Sequence, residues 1–279
     1  MRPWWILSLA LVGCGAAATA PSNANDVDAE PRFVDVATGE TIAFDALIDR
    51  LAPARVVYVG ERHDRAGDHA MQARILEALH GRDPALSVGF EMFQRPYQSA
   101  LDAYVAGALE EDALLERTEW ADRWGYDFAM YAPLIRFGRE RRVPLVALNA
   151  RSEVTRTIAR EGLDALEAAD RDALPELDRD VAAHRARVAD ALRAHHPVDD
   201  EALERFYTAQ LVWDETMAES IAARGGRMVV FAGVMHVARD AIPERAARRG
   251  AAPFAVVAPA DSLEDAPPAD FVWVTPPAR

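Results

Sequence analysis

Lysine is absent. All 31 basic residues are arginine, and they stand against 45 aspartates and glutamates, for a formal net charge of −14. A chain this acidic does not condense on a phosphate backbone through bulk charge, so nucleic acid is not expected as a partner. Cysteine occurs once, at Cys14, which excludes an intrachain disulfide and any thiolate-rich metal centre. No Gly-x-Gly-x-x-Gly follows the first strand-like run, which argues against a dinucleotide cofactor, and no His-Glu-x-x-His zinc spacing occurs. No apolar run reaches the roughly 18 residues that a membrane-spanning helix requires. What remains, 51% hydrophobic and 27% charged residues over 279 positions, suits a folded domain with a substantial core.

The amino terminus pairs Arg2 with a short apolar run that ends in Leu11-Val12-Gly13-Cys14. The run reads as a secretory leader, and its end resembles the bacterial lipobox, in which cleavage exposes a cysteine that carries lipid. Residues 1–13 are therefore expected to be a signal peptide, Cys14 the lipidation site and residues 14–31 an aperiodic tether. Gly15, where aspartate would signal retention, points by the same resemblance to the outer membrane of a bacterial envelope.

Continuous apolar runs near 55–60, 86–90, 143–148, 228–232 and 254–257 lack alternation, as strands covered on both faces do. A hairpin is expected near 33–36 and 41–44, and an edge strand near 271–274. Helical spacing marks 44–51, 70–79 and 126–141. The expected fold is α/β, a three-layer α/β/α sandwich with a mainly parallel sheet and an inserted helical subdomain. Its core would span 32–151 and 226–279. The insertion, 152–225, is read as helices at 163–177, 179–196 and 200–224, the last capped by Asp199 or Asp200 and stopped by Gly225-Gly226.

In a parallel sheet, ligands bind beyond the carboxyl ends of the strands. Glu61, Arg62, His63 and Asp64 follow the first run, and Glu91 follows the second within Gly89-Phe90-Glu91-Met92-Phe93. Asn149 and Arg151 follow the third, and His236 the fourth. A carboxylate set among apolar residues is costly unless paired or bound. Glu61, His63, Glu91 and His236 are therefore expected to meet in one mouth. His69 and Gln72, three apart, share a helix face beside it. His80, His184, His195 and His196 are read as solvated.

Several motifs look familiar in order. Val59-Gly60-Glu61-Arg62-His63-Asp64, His69-x-x-Gln72, Gly89-Phe90-Glu91-Met92, Trp124-Gly125-Tyr126, Ala209-Gln210-x-x-x-Asp214 and Gly233-Val234-Met235-His236 resemble the ChaN family of haem-binding lipoproteins, over about residues 33–259. That family stands beside the Tiki/TraB and erythromycin-esterase-like proteins. The resemblance implies haem binding, a link to iron uptake, and a homodimer that holds haem between protomers, with a tyrosine on iron and a histidine near the propionates. Tyr131 and Tyr207 are the iron-ligand candidates, Tyr131 being preferred because its helix leads into the third strand. Arg62, His63, His69 and Arg151 are the propionate-side candidates, and Met92, Phe93, Trp120, Trp124 and Trp213 the apolar walls. Asp68 stands where many members carry a second histidine, and Val234-Met235 replace small polar residues.

The esterase-like relatives imply an alternative. In it His63 acts as a base on water, Glu61 and Glu91 orient it, and His236 stabilises developing charge. Tiki-type relatives imply a further variant, with a divalent metal held by Glu61, His63, Glu91 and His236. A third reading, an envelope scaffold, rests only on the acidic insertion.

Overall fold

The computed structural model describes residues 31–195 and 197–275. The expected leader, Cys14 and the tether up to residue 30 lie outside them. Among the described residues no helix is long and apolar enough to cross a membrane.

Eight strands form one sheet: β1 (Arg32–Asp35), β2 (Thr41–Ile42), β3 (Val56–Glu61), β4 (Leu86–Gln94), β5 (Leu145–Asn149), β6 (Arg227–Gly233), β7 (Phe254–Ala260) and β8 (Phe271–Val274). Their order is β2-β1-β8-β7-β3-β6-β4-β5. The pairs from β8 to β5 are parallel, and β1 runs antiparallel to both β8 and β2. The expected sandwich is thus observed. One detail differs: β8 is interior, because β1 pairs along its outer side, and the edges fall to β2 and β5.

Residue parity explains the continuous apolar runs. Val57, Val59, Val229, Phe231 and Val257 face one apolar layer, with Ile75, Leu79, Leu134 and Ile135 from helices Ala66–Arg82 and Phe128–Arg141. Val56, Tyr58, Val230, Ala232 and Val256 face the other, with Met217, Ala218 and Ile221 from helix Asp200–Arg224 and Ile242 and Ala246 from helix Ile242–Arg248. Both faces are covered, so alternation in hydrophobicity is lost while alternation in direction is kept. Parity also places Glu61 on the same side as Val57 and Val59, under helices Ala66–Arg82 and Phe128–Arg141.

The segment expected to be one helix over 163–177 is instead a 3₁₀ turn, Leu163–Ala165, and a short helix, Ala168–Asp172. Pro175 disfavours helical geometry at Leu174, and the chain continues without regular structure to the helix Ala182–His195. Helix Asp200–Arg224 forms as expected, with the Asp199 side chain accepting from Ala202 N. Two strands outrun their apolar runs. β3 extends to Glu61 and β4 to Gln94, with a register irregularity against β5 between Phe90 and Gln94. Such bulges re-aim side chains beside functional sites, and this one contains Glu91.

Candidate functional site

β3 and β6 end side by side, with Glu61 opposite Gly233. Glu61 is fully buried, and three hydrogen bonds converge on its carboxylate, with the His69 ring beside it. Oε1 lies 2.8 Å from His63 Nδ1 and accepts from the Tyr131 hydroxyl at 2.9 Å. Oε2 accepts from Gln72 Nε2 at 2.9 Å and lies 3.5 Å from His69 Nδ1. Burial alone would push this carboxyl up. The hydrogen bond and charge of His63, the charge of His69 and the Gln72 bond outweigh it and hold the group below its ordinary value. His63 moves the other way. Burial opposes its charge, but the Glu61 bond and the charges of Glu91 and Glu61 raise its pKa. Burial and the Glu61 charge push the Tyr131 phenol far up, so it stays protonated and donates. Glu61 is the anion that organises this half of the site.

The second half is built around His236, at the end of β6. Its Nδ1 lies 2.6 Å from Asp214 Oδ1 and its Nε2 3.4 Å from Glu91 Oε1. Burial opposes its charge, yet the Glu91 and Asp214 carboxylates push it up to about 9, so it is an imidazolium at neutral pH. Asp214 is held well below the usual carboxylate range by His236 and His184 despite complete burial. Its Oδ2 lies 2.9 Å from His184 Nε2. His184 Nδ1 faces Arg245 Nη2 at 3.2 Å, and because guanidinium only donates, Nδ1 accepts. The His184 proton therefore sits on Nε2, facing Asp214. Arg245 continues the chain to Glu215, which also binds Arg249. His184 is fully buried, which corrects its reading as solvated. The helix Ala182–His195 turns it inward beside Val188, and Asp214 and Glu215 require donors there. The signal was present: two carboxylates in Leu211-Val212-Trp213-Asp214-Glu215-Thr216-Met217-Ala218 sit where an apolar helix face is expected. His80, half-buried against the Phe137 ring, belongs to neither group.

Gly233 joins the two halves. Its N–H donates to Glu91 Oε2 at 2.7 Å, and a Cβ built on it would stand 2.9 Å from both Cε1 and Nε2 of His63. Gly233→Ala is expected to displace the His63 ring and destabilise the fold by about 1–3 kcal/mol, read by chemical denaturation. An unchanged midpoint would show that the ring has room.

The remaining residues singled out by sequence are placed as follows. Asn149 Nδ2 donates to the Glu91 carbonyl at 2.9 Å, bracing the bulge of β4. Arg151 is half exposed at the β5 end and paired with Asp170 at 2.8 Å. Arg62 grips Asp68 through Nε at 2.8 Å and Nη2 at 2.9 Å and reaches Asp261 through Nη1, so its charge is already matched. Asp68, buried beneath it, also accepts from Arg62 N at 3.0 Å and fixes the turn that carries His63. Met92, Phe93, Trp120 and Trp124 are buried in the core, while Trp213 is half-buried with its ring edge-on to His236. Neither tyrosine candidate opens onto the mouth. Tyr131 lies beneath Glu61, and Tyr207 is buried against His184, its hydroxyl lacking a hydrogen-bond partner.

The phenol that does reach the mouth is Tyr126. It is half-buried, its ring centroid 5.1 Å from His63 and 5.6 Å from Trp124, and no side chain or backbone group hydrogen-bonds its hydroxyl among the described residues. Burial and the charges of Asp64, Glu91 and Glu61 push it up to about 12. The sequence held it only as part of a motif.

Among the described residues, no group of three or more His, Cys, Asp or Glu side chains is arranged to hold a metal ion. The divalent-metal expectation therefore has no donor set. The carboxylates and imidazoles are turned on one another, and Glu61 is saturated by its four neighbours. Two shallow surface concavities lie elsewhere, one beside Asp102, Arg142 and Pro144 and one beside Phe33, Phe44 and Arg74. At the mouth Glu61, Glu91 and His236 are buried, and His63 and Tyr126 are the partly exposed groups.

Comparisons with known proteins bear on the fold and the family. The structure is similar to ChaN of Campylobacter jejuni, solved with cofacial haem binding, at a TM-score of 0.73 and 18% identity, covering 88% of this chain and 97% of that one. At that identity the likeness speaks to the fold. An erythromycin esterase, the EreC mutant in its open conformation, aligns at a TM-score of 0.49 and 14% identity, over 81% of this chain and 76% of its own. No curated protein matches. The model of the family described as haem-binding uptake, Tiki superfamily, ChaN matches residues 47–245 and so takes in both halves of the mouth, which bears out the resemblance read from the motifs. The chain belongs to the ChaN-type haem-binding uptake family of the Tiki superfamily.

Proposed function

We propose that this protein binds haem across the mouth between the ends of β3, β4 and β6, with Tyr126 as the iron-side residue, and that it serves haem or iron uptake. The observation that carries the reading is Tyr126 itself, a half-buried phenol with an unbonded hydroxyl, its ring clustered with those of His63 and Trp124, which also touch each other at 4.9 Å. Ferric haem supplies a Lewis-acidic iron that accepts an axial phenolate. His63, whose pKa the Glu61 bond raises, stands beside that phenol as an imidazole N–H donor, the group a propionate or a phenolate needs. Tyr131, Gln72 and His69 act behind it by fixing Glu61. Half-buried Trp213, Val234 and Met235 extend the face with apolar surface, so the Val234-Met235 pair is suited to a flat macrocycle.

A single phenol such as Tyr126 meets only one side of a flat ligand. A second copy covering the other side is the economical completion, and a homodimer is part of the proposal. So is an anchor: the lipobox-like Cys14 would hold the domain to the bacterial envelope, at the outer membrane.

Titrating hemin into the purified domain should give a saturable Soret band, with Tyr126→Phe weakening binding about tenfold or more. Tyr126→Phe binding as tightly as wild type would remove Tyr126 from the iron. The hydrolytic alternative finds less here. A general base at neutral pH must be unprotonated, whereas His63 and His236 are both raised by their carboxylate partners.

A further inference from the structure

We infer that Arg187, on the inserted helix Ala182–His195, is a positioning residue for His236, and that its pairing with Asp240 holds the second half of the mouth in place. The inference rests on the mouth being the ligand site and adds to it the element that sets its geometry.

His236 sits on the one-turn helix Val234–Val237 that leaves β6, whereas its anion, Asp214, belongs to helix Asp200–Arg224. Their 2.6 Å contact joins two separate elements, whose spacing has to be fixed from outside. Helix Ala182–His195 touches both. His184, Arg187 and Val188, three and four apart, share one face of it. His184 lies 2.9 Å from Asp214 Oδ2, the oxygen that His236 does not use. Arg187 reaches to the β6 side. Its Nη1 donates to the two Asp240 oxygens at 2.6 and 2.7 Å, and its Nη2 to the Met235 carbonyl at 3.4 Å. The Met235 side chain packs on the apolar cluster that contains Val188 and Leu192.

Met235 precedes His236 and Asp240 follows it, so one guanidinium grips the chain on both sides of the imidazole. Arg187 Nε is buried and has no partner among the described residues, so the hydrogen bonds of this side chain go to those two residues. The side chains of Arg187 and Asp240 are only 19% and 14% exposed, and an ion pair so far removed from water is felt when one partner is deleted. Charge and positioning predict opposite results. Arg187 is a cation near the His236 ring and works against its proton. Were charge its role, deleting it would tighten the hold of His236 on that proton. As a positioning residue, its loss slackens the bond to Asp214.

The test follows the His236 Nδ1 proton by NMR in the purified protein, where the short bond to Asp214 should give a deshielded, slowly exchanging resonance. Arg187→Met and Asp240→Ala should each speed its exchange with solvent about tenfold or more, and the double variant no further than either alone. Arg187→Lys, which keeps the charge without the planar fork, should fall between wild type and Arg187→Met. Hemin affinity should drop about three- to fivefold in Arg187→Met, because Val234 and Met235 move with the same turn. Exchange as slow as in wild type, or slower, overturns the positioning role, and so do effects that add in the double variant. Faster exchange with unaltered hemin affinity makes Arg187 a structural tie and overturns its part in the site. If Arg187→Met does not fold, Arg187→Lys and Asp240→Ala are judged by the same comparison. A wild-type protein that binds no hemin overturns the haem reading, while the exchange rates still judge Arg187.

Discussion

Glu61→Ala is expected to lower the melting temperature by roughly 10 °C. The wild-type carboxylate sits at complete burial with three hydrogen bonds on its two oxygens. Removing it leaves the His63 ring without its closest anion and the Tyr131 hydroxyl and Gln72 amide without an acceptor, in a layer otherwise filled by Val59, Ile75 and Leu134. Breaking a buried, hydrogen-bonded ion pair by deleting one partner costs about 3–5 kcal/mol. A domain of this size loses about 2–4 °C per kcal/mol. Glu61→Gln separates charge from shape. Its amide still accepts from Tyr131 but no longer offers His63 an anion, so the stability loss should be smaller while the His63 pKa falls. An NMR titration of the His63 ring reads this directly. If His63 titrates in Glu61→Gln as it does in wild type, Glu61 is not what holds its proton.

The sequence located this network well along β3 and poorly across the helices, for a physical reason. Burial on both faces of a parallel strand is written locally, as an unbroken apolar run, and the first charged residue after the run marks the carboxyl end. Glu61 and His236 could be placed at the mouth on that basis, and Glu91 too, although it lies inside β4 at a bulge. Which imidazole meets which carboxylate is a tertiary matter. His184 and Asp214 lie on different helices, and only the packing of Ala182–His195 against Asp200–Arg224 brings them to 2.9 Å. Arg62 looked available for a propionate because its grip on Asp68 depends on how the turn after β3 folds back. The tyrosines divide in the same way. Tyr126 and Tyr131 are five apart, and helix start Phe128 decides that one faces the rim and the other Glu61.

Asp214→Asn is expected to produce a stability deficit that depends on pH and nearly vanishes in base. In wild type, His236 has its pKa raised from 6.5 to about 9. A group raised on folding stabilises most below its unfolded value. Its contribution is full below pH 6.5, shrinks as pH climbs and is lost above about 9. The Asp214 carboxyl is depressed, so its contribution is present above 3.8 and fails only in strong acid. The pair is one interaction seen from two sides, and it is complete between those limits, near pH 4–6.5. The rise of His236 corresponds to roughly 3 kcal/mol of preference for its protonated form, part of which comes from Glu91. Asparagine still accepts from the His184 Nε2 proton, but it presents an amide N–H₂ to His236 Nδ1, which an imidazolium cannot accept. Neutral His236 can accept it, while its Nε2 proton turns to Glu91. The variant should therefore be about 2–3 kcal/mol less stable than wild type at pH 6 and within about 1 kcal/mol of it at pH 10, by urea denaturation across that range. A deficit of equal size at both ends would mean that Asp214 is held in place by packing and that the charge on His236 does not depend on it.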